Sequence, residues 1–257
     1  MPNPPYSLGI VNEFSDLTTM KELIAAAEYV IAAPGIDLDR LRAAVKPGAR
    51  VYGYLESIMC PTKKEGVPAF YLELQEAMHF YGNYEAFWCD SFNQPLNFGT
   101  DAWPQARIKP KNKYADWLVD FCVGSPVLRA FDGIYLDDFT KEVPKYVYQE
   151  LPINWQDPVT LANLQKDHAH YINRLASGLR ARMDPGFKLI ANTATFTHPA
   201  LDAITVECAC PEKPTATPRD EALKALKNQD QHGMAREVGT VWYVQGAANA
   251  YEGKWPS

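Results

Sequence analysis

One pattern constrains this chain more than any other: short apolar runs alternate with longer stretches in which apolar residues recur every three or four positions. Seven runs read as strands: "SLGIVNEF" (7–14), "EYVIAAPG" (28–35), "RVYGYLES" (50–57), "DGIYLDD" (132–138), "FKLIANT" (187–193), "DAITVEC" (202–208) and "GTVWYVQG" (239–246). Helices are predicted between them. Thr19 and Glu22 have capping-box spacing ahead of "MKELIAAA", and Asp37 caps a short helix with Leu38, Leu41 and Val45 on one face. Tyr114, Trp117, Leu118 and Phe121 mark another helical face. A long helix starts at Asp157 and Pro158, and its stripe runs through Leu161, Leu164, His168, Tyr171, Leu175, Leu179 and Met183. Thr217, Pro218 and Asp220 open a last helix over 218–237.

Strands that alternate with helices imply βα units on a parallel sheet. Seven or eight such units in 257 residues predict an α/β fold, a (β/α)8 TIM barrel built as a single domain over 1–257. Two features are irregular: an elaborated loop at about 58–110 and an incomplete C-terminal unit. The loop holds a helix, "AFYLELQEAMHFYG", and a hairpin-like pair, "EAFWCDS" with "QPLNFG". The eighth strand is either "EAFWCDS" or missing beyond "ANAYEGKWPS". A doubly wound open sheet is the runner-up, disfavoured because no strand leads into a glycine-rich phosphate loop.

Composition removes several classes of function. The net charge is −6, from 25 basic and 31 acidic residues, and no basic run is present, so nucleic acid is not an expected partner. No apolar stretch approaches the roughly 20 residues that span a bilayer, and no membrane insertion is expected. The start "MPNPPYSLGI" lacks the charged and apolar regions of a secretory signal. The compartment stays open, since extracellular action is compatible with a removed signal or another export route. Cys60, Cys89, Cys122, Cys208 and Cys210 show no zinc-ligand spacing and read as packing residues.

In a parallel barrel, chemistry sits at the C-terminal ends of the strands. The polar residues at those ends are Asn12 and Glu13, then Glu56, Asp137 with Asp138, Asn192, Glu207 and Gln245. Acids and amides gather there and histidines do not, so neither a metal nor a cofactor is expected. Lone loop acids such as Glu13, Glu56 and Asp90 are commonly caps or solubilising groups. Asp137 and Glu207 differ, because each ends a strongly apolar strand where burying a charge needs a reason. Alternation groups Asp137 with Tyr135 and Gly133, and Asp138 with Leu136 and Ile134. The aliphatic pair suits the helix-covered side, so Asp137 is assigned to the cleft and Asp138 to a supporting role.

Two carboxylates facing one cleft meet the requirement of glycosidic cleavage: one protonates the leaving oxygen, the other attacks the anomeric carbon or activates water. The acid needs a raised pKa, which an aromatic wall supplies. Tyr54, Trp88, Tyr135, Trp242 and Tyr243 are candidates for that wall, where aromatic faces also stack on sugar rings.

The stretch "FDGIYLDD" resembles the fourth strand of the endo-α-1,4-polygalactosaminidase family and related glycoside hydrolase barrels. "VYGYLES" is similar to their third strand, "FWCDSFNQPLNF" with "PKNKYADWLVDF" to a displayed hairpin and helix, and "ITVEC" to a sixth strand ending in glutamate. The resemblance implies a TIM-barrel glycosidase with Asp137 as nucleophile and Glu207 as acid/base. The sequence departs from the pattern in "ECACPEKP" after the glutamate and in its short C-terminal end.

The reading is a glycoside hydrolase acting on a polysaccharide, one with amino sugars among the candidates. Asn12, Tyr54, Glu56, Trp88, Tyr135, Asp138, Asn192, Trp242 and Gln245 are its candidate substrate-binding residues. Two alternatives stay open: a non-catalytic carbohydrate-binding barrel, and a metal-dependent phosphodiesterase using Glu56, Asp137, Asp138 and Glu207.

Overall fold

A computed structural model describes residues 7–11, 24–25, 27–80, 82, 84–99, 103–192, 198–207 and 239–243, with the backbone alone over 7–11, 204–207 and 239–243. The fold is mixed α/β on a parallel sheet. Its strands are β1 (Ser7–Val11), β2 (Tyr29–Ala32), β3 (Arg50–Glu56), β6 (Gly133–Asp137), β7 (Lys188–Asn192), β8 (Ala203–Glu207) and β9 (Gly239–Tyr243), hydrogen-bonded in that order. All six pairings are parallel. The order follows the chain without reversal, so the sheet lacks the switch point that defines a doubly wound fold. Cα atoms of β1 and β9, its first and last strands, come within 8 Å of each other.

The connection between β3 and β6 carries the elaborated loop. Within it, β4 (Met59–Pro61) and β5 (Gln105–Arg107) pair antiparallel as a separate two-stranded sheet. "EAFWCDS" is not an eighth strand of the parallel sheet. It makes isolated antiparallel bridges, Cys89 to Pro95 and Phe87 to Ile108, and Leu96 N donates to Trp88 O at 2.9 Å. Its backbone groups are thereby used inside the loop.

Helices among the described residues include α1 (Leu38–Ala44), α2 (Ala69–Ala77), α3 (Asn112–Gly124), α4 (Pro126–Arg129), α5 (Lys145–Tyr148) and α6 (Pro158–Arg182). Asp37 caps α1 by accepting from Arg40 N at 3.0 Å. Asp157 caps α6 by accepting from Thr160 N at 2.9 Å, with Pro158 at the first helical position. The helices predicted from Thr19 and over 218–237 fall largely or wholly outside the described residues, as do Cys208 and Cys210.

Alternation along the strands separates two environments. Leu55, Ile134, Leu136, Leu189 and Ala191 pack with Leu118, Val119 and Cys122 of α3 and with Tyr171, Ile172, Leu175 and Leu179 of α6. Each fully buried aliphatic side chain there contributes about 1.5–3 kcal/mol. On the other face Ile31, Tyr52, Tyr135, Ile190 and Ala203, one from each of five neighbouring strands, form their own cluster with Tyr54 against it. Cys60 and Cys122 are fully buried free thiols whose pKa burial pushes up, so neither offers a thiolate at neutral pH.

Aspartates also stand at the starts of two strands. Asp132, just before β6, accepts from Val51 N of β3 at 2.8 Å and pairs with Arg42 of α1. Asp202, just before β8, accepts from Leu189 N of β7 at 2.9 Å and pairs with Lys188 and Arg180.

Candidate active site

The C-terminal ends of β3, β6 and β7 bring Glu56, Asp137 and Asn192 together. Glu56 pairs in register with Asp137, and the β6–β7 ladder runs through Leu136 and Ala191, one step below Asp137 and Asn192. Three donors converge on the Asp137 carboxyl. Asn192 Nδ2 donates to Oδ1 at 2.8 Å, Asp138 N to Oδ1 at 2.9 Å, and the Tyr54 hydroxyl to Oδ2 at 2.7 Å. Such a complement suits a carboxylate, which accepts and cannot donate. The Asp137 main-chain oxygen is held as well, by Ser57 N at 3.1 Å and Ser57 Oγ at 2.6 Å.

Tyr54 also hydrogen-bonds Glu56 Oε1. Its ring stacks on Tyr135 with centroids 6.0 Å apart. Burial and the two neighbouring acids hold the Tyr54 phenol well above its ordinary pKa, so it stays a proton donor. Glu56 is pushed well above the carboxylate range, first by burial and then by the charges of Asp137 and Asp138. Its Oε2 is buried without a well-formed hydrogen bond, although the Gln105 side chain bears on the carboxyl.

Asp138 takes a left-handed backbone, φ 51°, which turns the chain sharply out of β6. A non-glycine residue held there stores on the order of 1–3 kcal/mol of strain, a feature that clusters at functional sites. The strain is supported from α6. Gln165 clamps Val143 by accepting from its N at 2.7 Å and donating to its O at 3.0 Å. His168 Nε2 lies 3.0 Å from Thr140 O, and Tyr171 OH donates to Ser57 O at 2.8 Å.

Gln105 and Arg107 of β5 are site neighbours to which the sequence reading assigns no role. Arg107 is 4% exposed, and its Nη2 lacks a hydrogen-bond partner. Burial lowers its pKa while Asp138 and Glu56, among others, oppose that loss. The available signal was the alternation in "QARI", with Gln105 and Arg107 on one side and Ala106 and Ile108 on the other.

The remaining candidates divide. Tyr135 is 1% exposed and so supports Tyr54 from beneath, offering no face to a ligand. Trp88 packs beside Val143, Val147, Leu151 and Leu164, in an apolar cluster flanking the loop after β6. Glu207 is the last residue of β8 and pairs with Tyr243, next to Trp242 in β9. Asn12, Glu13 and Gln245 lie outside the described residues. Among the described residues, no group of three or more His, Cys, Asp or Glu is arranged to hold a metal ion. No described helix is long and apolar enough to cross a membrane.

The sequence matches no protein-family model and no curated protein. The structure is similar to the glycoside hydrolase domain of PgaB (BpsB) from Bordetella bronchiseptica, with a TM-score of 0.52 at 13% identity, over 94% of this chain and 84% of that one. The GH36 alpha-galactosidase AgaA from Geobacillus stearothermophilus has a TM-score of 0.44 at 9% identity over 75% of this chain, and the match spans 28% of that chain. Alpha-L-fucosidase isoenzyme 2 from Paenibacillus thiaminolyticus has a TM-score of 0.43 at 14% identity, over 78% of this chain and 35% of that one. The likeness to the PgaB domain is one of fold.

Proposed function

We propose that the chain is a glycoside hydrolase that cleaves a polysaccharide, built as one (β/α)8 barrel domain with its cleft at the C-terminal ends of the strands. The observation that carries this reading is the Asp137 carboxyl, held by three donors at the end of β6. In this role Asp137 attacks the anomeric carbon or stabilises the positive charge that develops there. Glu207, two residues beyond the Thr205 that pairs with Asn192, gives its proton to the leaving oxygen and then takes one from water. The likeness of the sheet to a glycoside hydrolase domain supports the class. The family resemblance of "FDGIYLDD" supports a polysaccharide with amino sugars.

The test is hydrolysis of a panel of microbial exopolysaccharides, amino-sugar polymers included, by wild type, Asp137→Asn and Glu207→Gln. Wild type is expected to release reducing ends. Each variant is expected to lose at least about 10³-fold in kcat while still binding the polymer. Binding without cleavage by wild type would leave a carbohydrate-binding barrel instead. Activity abolished by a chelator would point to metal-dependent phosphodiester chemistry.

A further inference from the structure

Tyr54 carries one hydroxyl proton and touches two carboxyls, Asp137 Oδ2 and Glu56 Oε1. A phenol donates once and accepts through its oxygen. With both carboxyls ionised, one of the two contacts would set oxygen against oxygen with no proton between them. One carboxyl therefore supplies the second proton.

The surroundings decide which. Asp137 receives two further donors, from Asn192 and the Asp138 main chain. Glu56 faces Asp137 of β6 and Asp138 just beyond it, Tyr54 of its own strand, and Gln105 and Arg107 of β5. Its Oε2 is buried without a well-formed hydrogen bond, a poor setting for a charge. Arg107 is the one cation in that set, and its foremost charged partner is Asp138.

We propose that Glu56 is a positioning residue for Asp137: as a neutral carboxylic acid it donates to the Tyr54 oxygen and so commits the Tyr54 proton to Asp137 Oδ2. The chain of donors runs one way, from Glu56 through Tyr54 to Asp137. Glu56 is not assigned as the acid that flanks the scissile bond, because its carboxyl is engaged with the Tyr54 hydroxyl. The part played in turnover rests on the glycosidase reading above; the protonation state does not.

The experiment is infrared spectroscopy of the full chain, grown with heavy carbon in the carboxyl of either glutamate or aspartate. At neutral pH a band from a buried protonated carboxyl is expected to shift with labelled glutamate and to vanish in Glu56→Gln. In Asp137→Asn the band should persist and titrate at lower pH, because a charge that opposes ionisation of Glu56 is gone. A band that shifts with labelled aspartate, or no band at all, would overturn the proposal, and the labelling arm needs no variant to fold. On a polymer that wild type cleaves, Glu56→Gln, whose amide still donates to Tyr54, should keep kcat within about threefold. Glu56→Leu should lose roughly 10²-fold with KM nearly unchanged. Equal losses in the two variants would overturn the positioning role. Absence of any cleavage would count against the glycosidase reading and leave the infrared result standing.

Discussion

Asn192 Nδ2 donates to Asp137 Oδ1 at 2.8 Å, so that adjacent strands β7 and β6 end on a single bond. It is one of two donors on that oxygen, the other being the Asp138 main chain. Replacing Asn192 with Leu should cost roughly 10–10²-fold in kcat, since one preorganised donor is lost. Melting should change by no more than a surface substitution would cause, because Asn192 is partly exposed. Kinetics beside a thermal melt separate the two effects.

Stability should depend on pH through Glu56 in an unusual direction. Its folded pKa lies well above the ordinary value of 4.5, so the fold favours the neutral form. That contribution is fully present below pH 4.5 and is lost as pH rises through the folded pKa. Glu56→Gln, neutral at every pH, should therefore melt higher than wild type at alkaline pH and converge with it near pH 4. Melting curves across that range, showing an equal offset throughout, would sink the idea.

His168 works in the opposite direction. Burial first, then the charge of Arg107, lowers its pKa from 6.5 to about 4. The neutral ring donates from Nε2 to Thr140 O, a tautomer assigned from that partner. Its stabilisation is present above pH 6.5 and is lost as pH falls toward 4, amounting to about 3 kcal/mol. His168→Gln should flatten the acid limb of a denaturation profile over that interval, and an unchanged slope would count against it.

Gly133 opens β6 where the neighbouring backbone leaves no room. A Cβ built there would lie 2.2 Å from Lys188 O of β7. Gly133→Ala should destabilise by about 1–3 kcal/mol or more, because the obstacle is main chain and cannot rotate away. Urea unfolding measures this directly. Activity per folded molecule should fall too, since the displaced strand ends in Asp137.

Much of this architecture is legible locally. Apolar runs that end in Glu56, Asp137 and Asn192 announce three neighbouring strand ends. Asp37 and Asp157 announce two helix starts, because a cap is a contact between residues two or three apart. The β4–β5 pair is not legible in the same way. It joins Met59 to Arg107 across a long irregular segment, and nothing local encodes that register. Arg107 consequently reads as an ordinary solvated cation, although folding buries it beside the acids. "EAFWCDS" has the composition of a strand of the main sheet, yet its pairing is spent on Pro95 and Ile108. Trp88 follows it into the side cluster for the same reason.

β6 is bracketed by two aspartates with different work. Asp132, at one end, is bonded to the start of the neighbouring strand β3 through Val51 N, and Asp137, at the other, holds the candidate chemistry. Roughly 17 Å of strand separates them. Alignment is thus set at the end of the strands opposite the acids. Loops beyond the strand ends can be lengthened, shortened or rewritten without the strands losing count of one another, and the spacing of Glu56 and Asp137 stays constant.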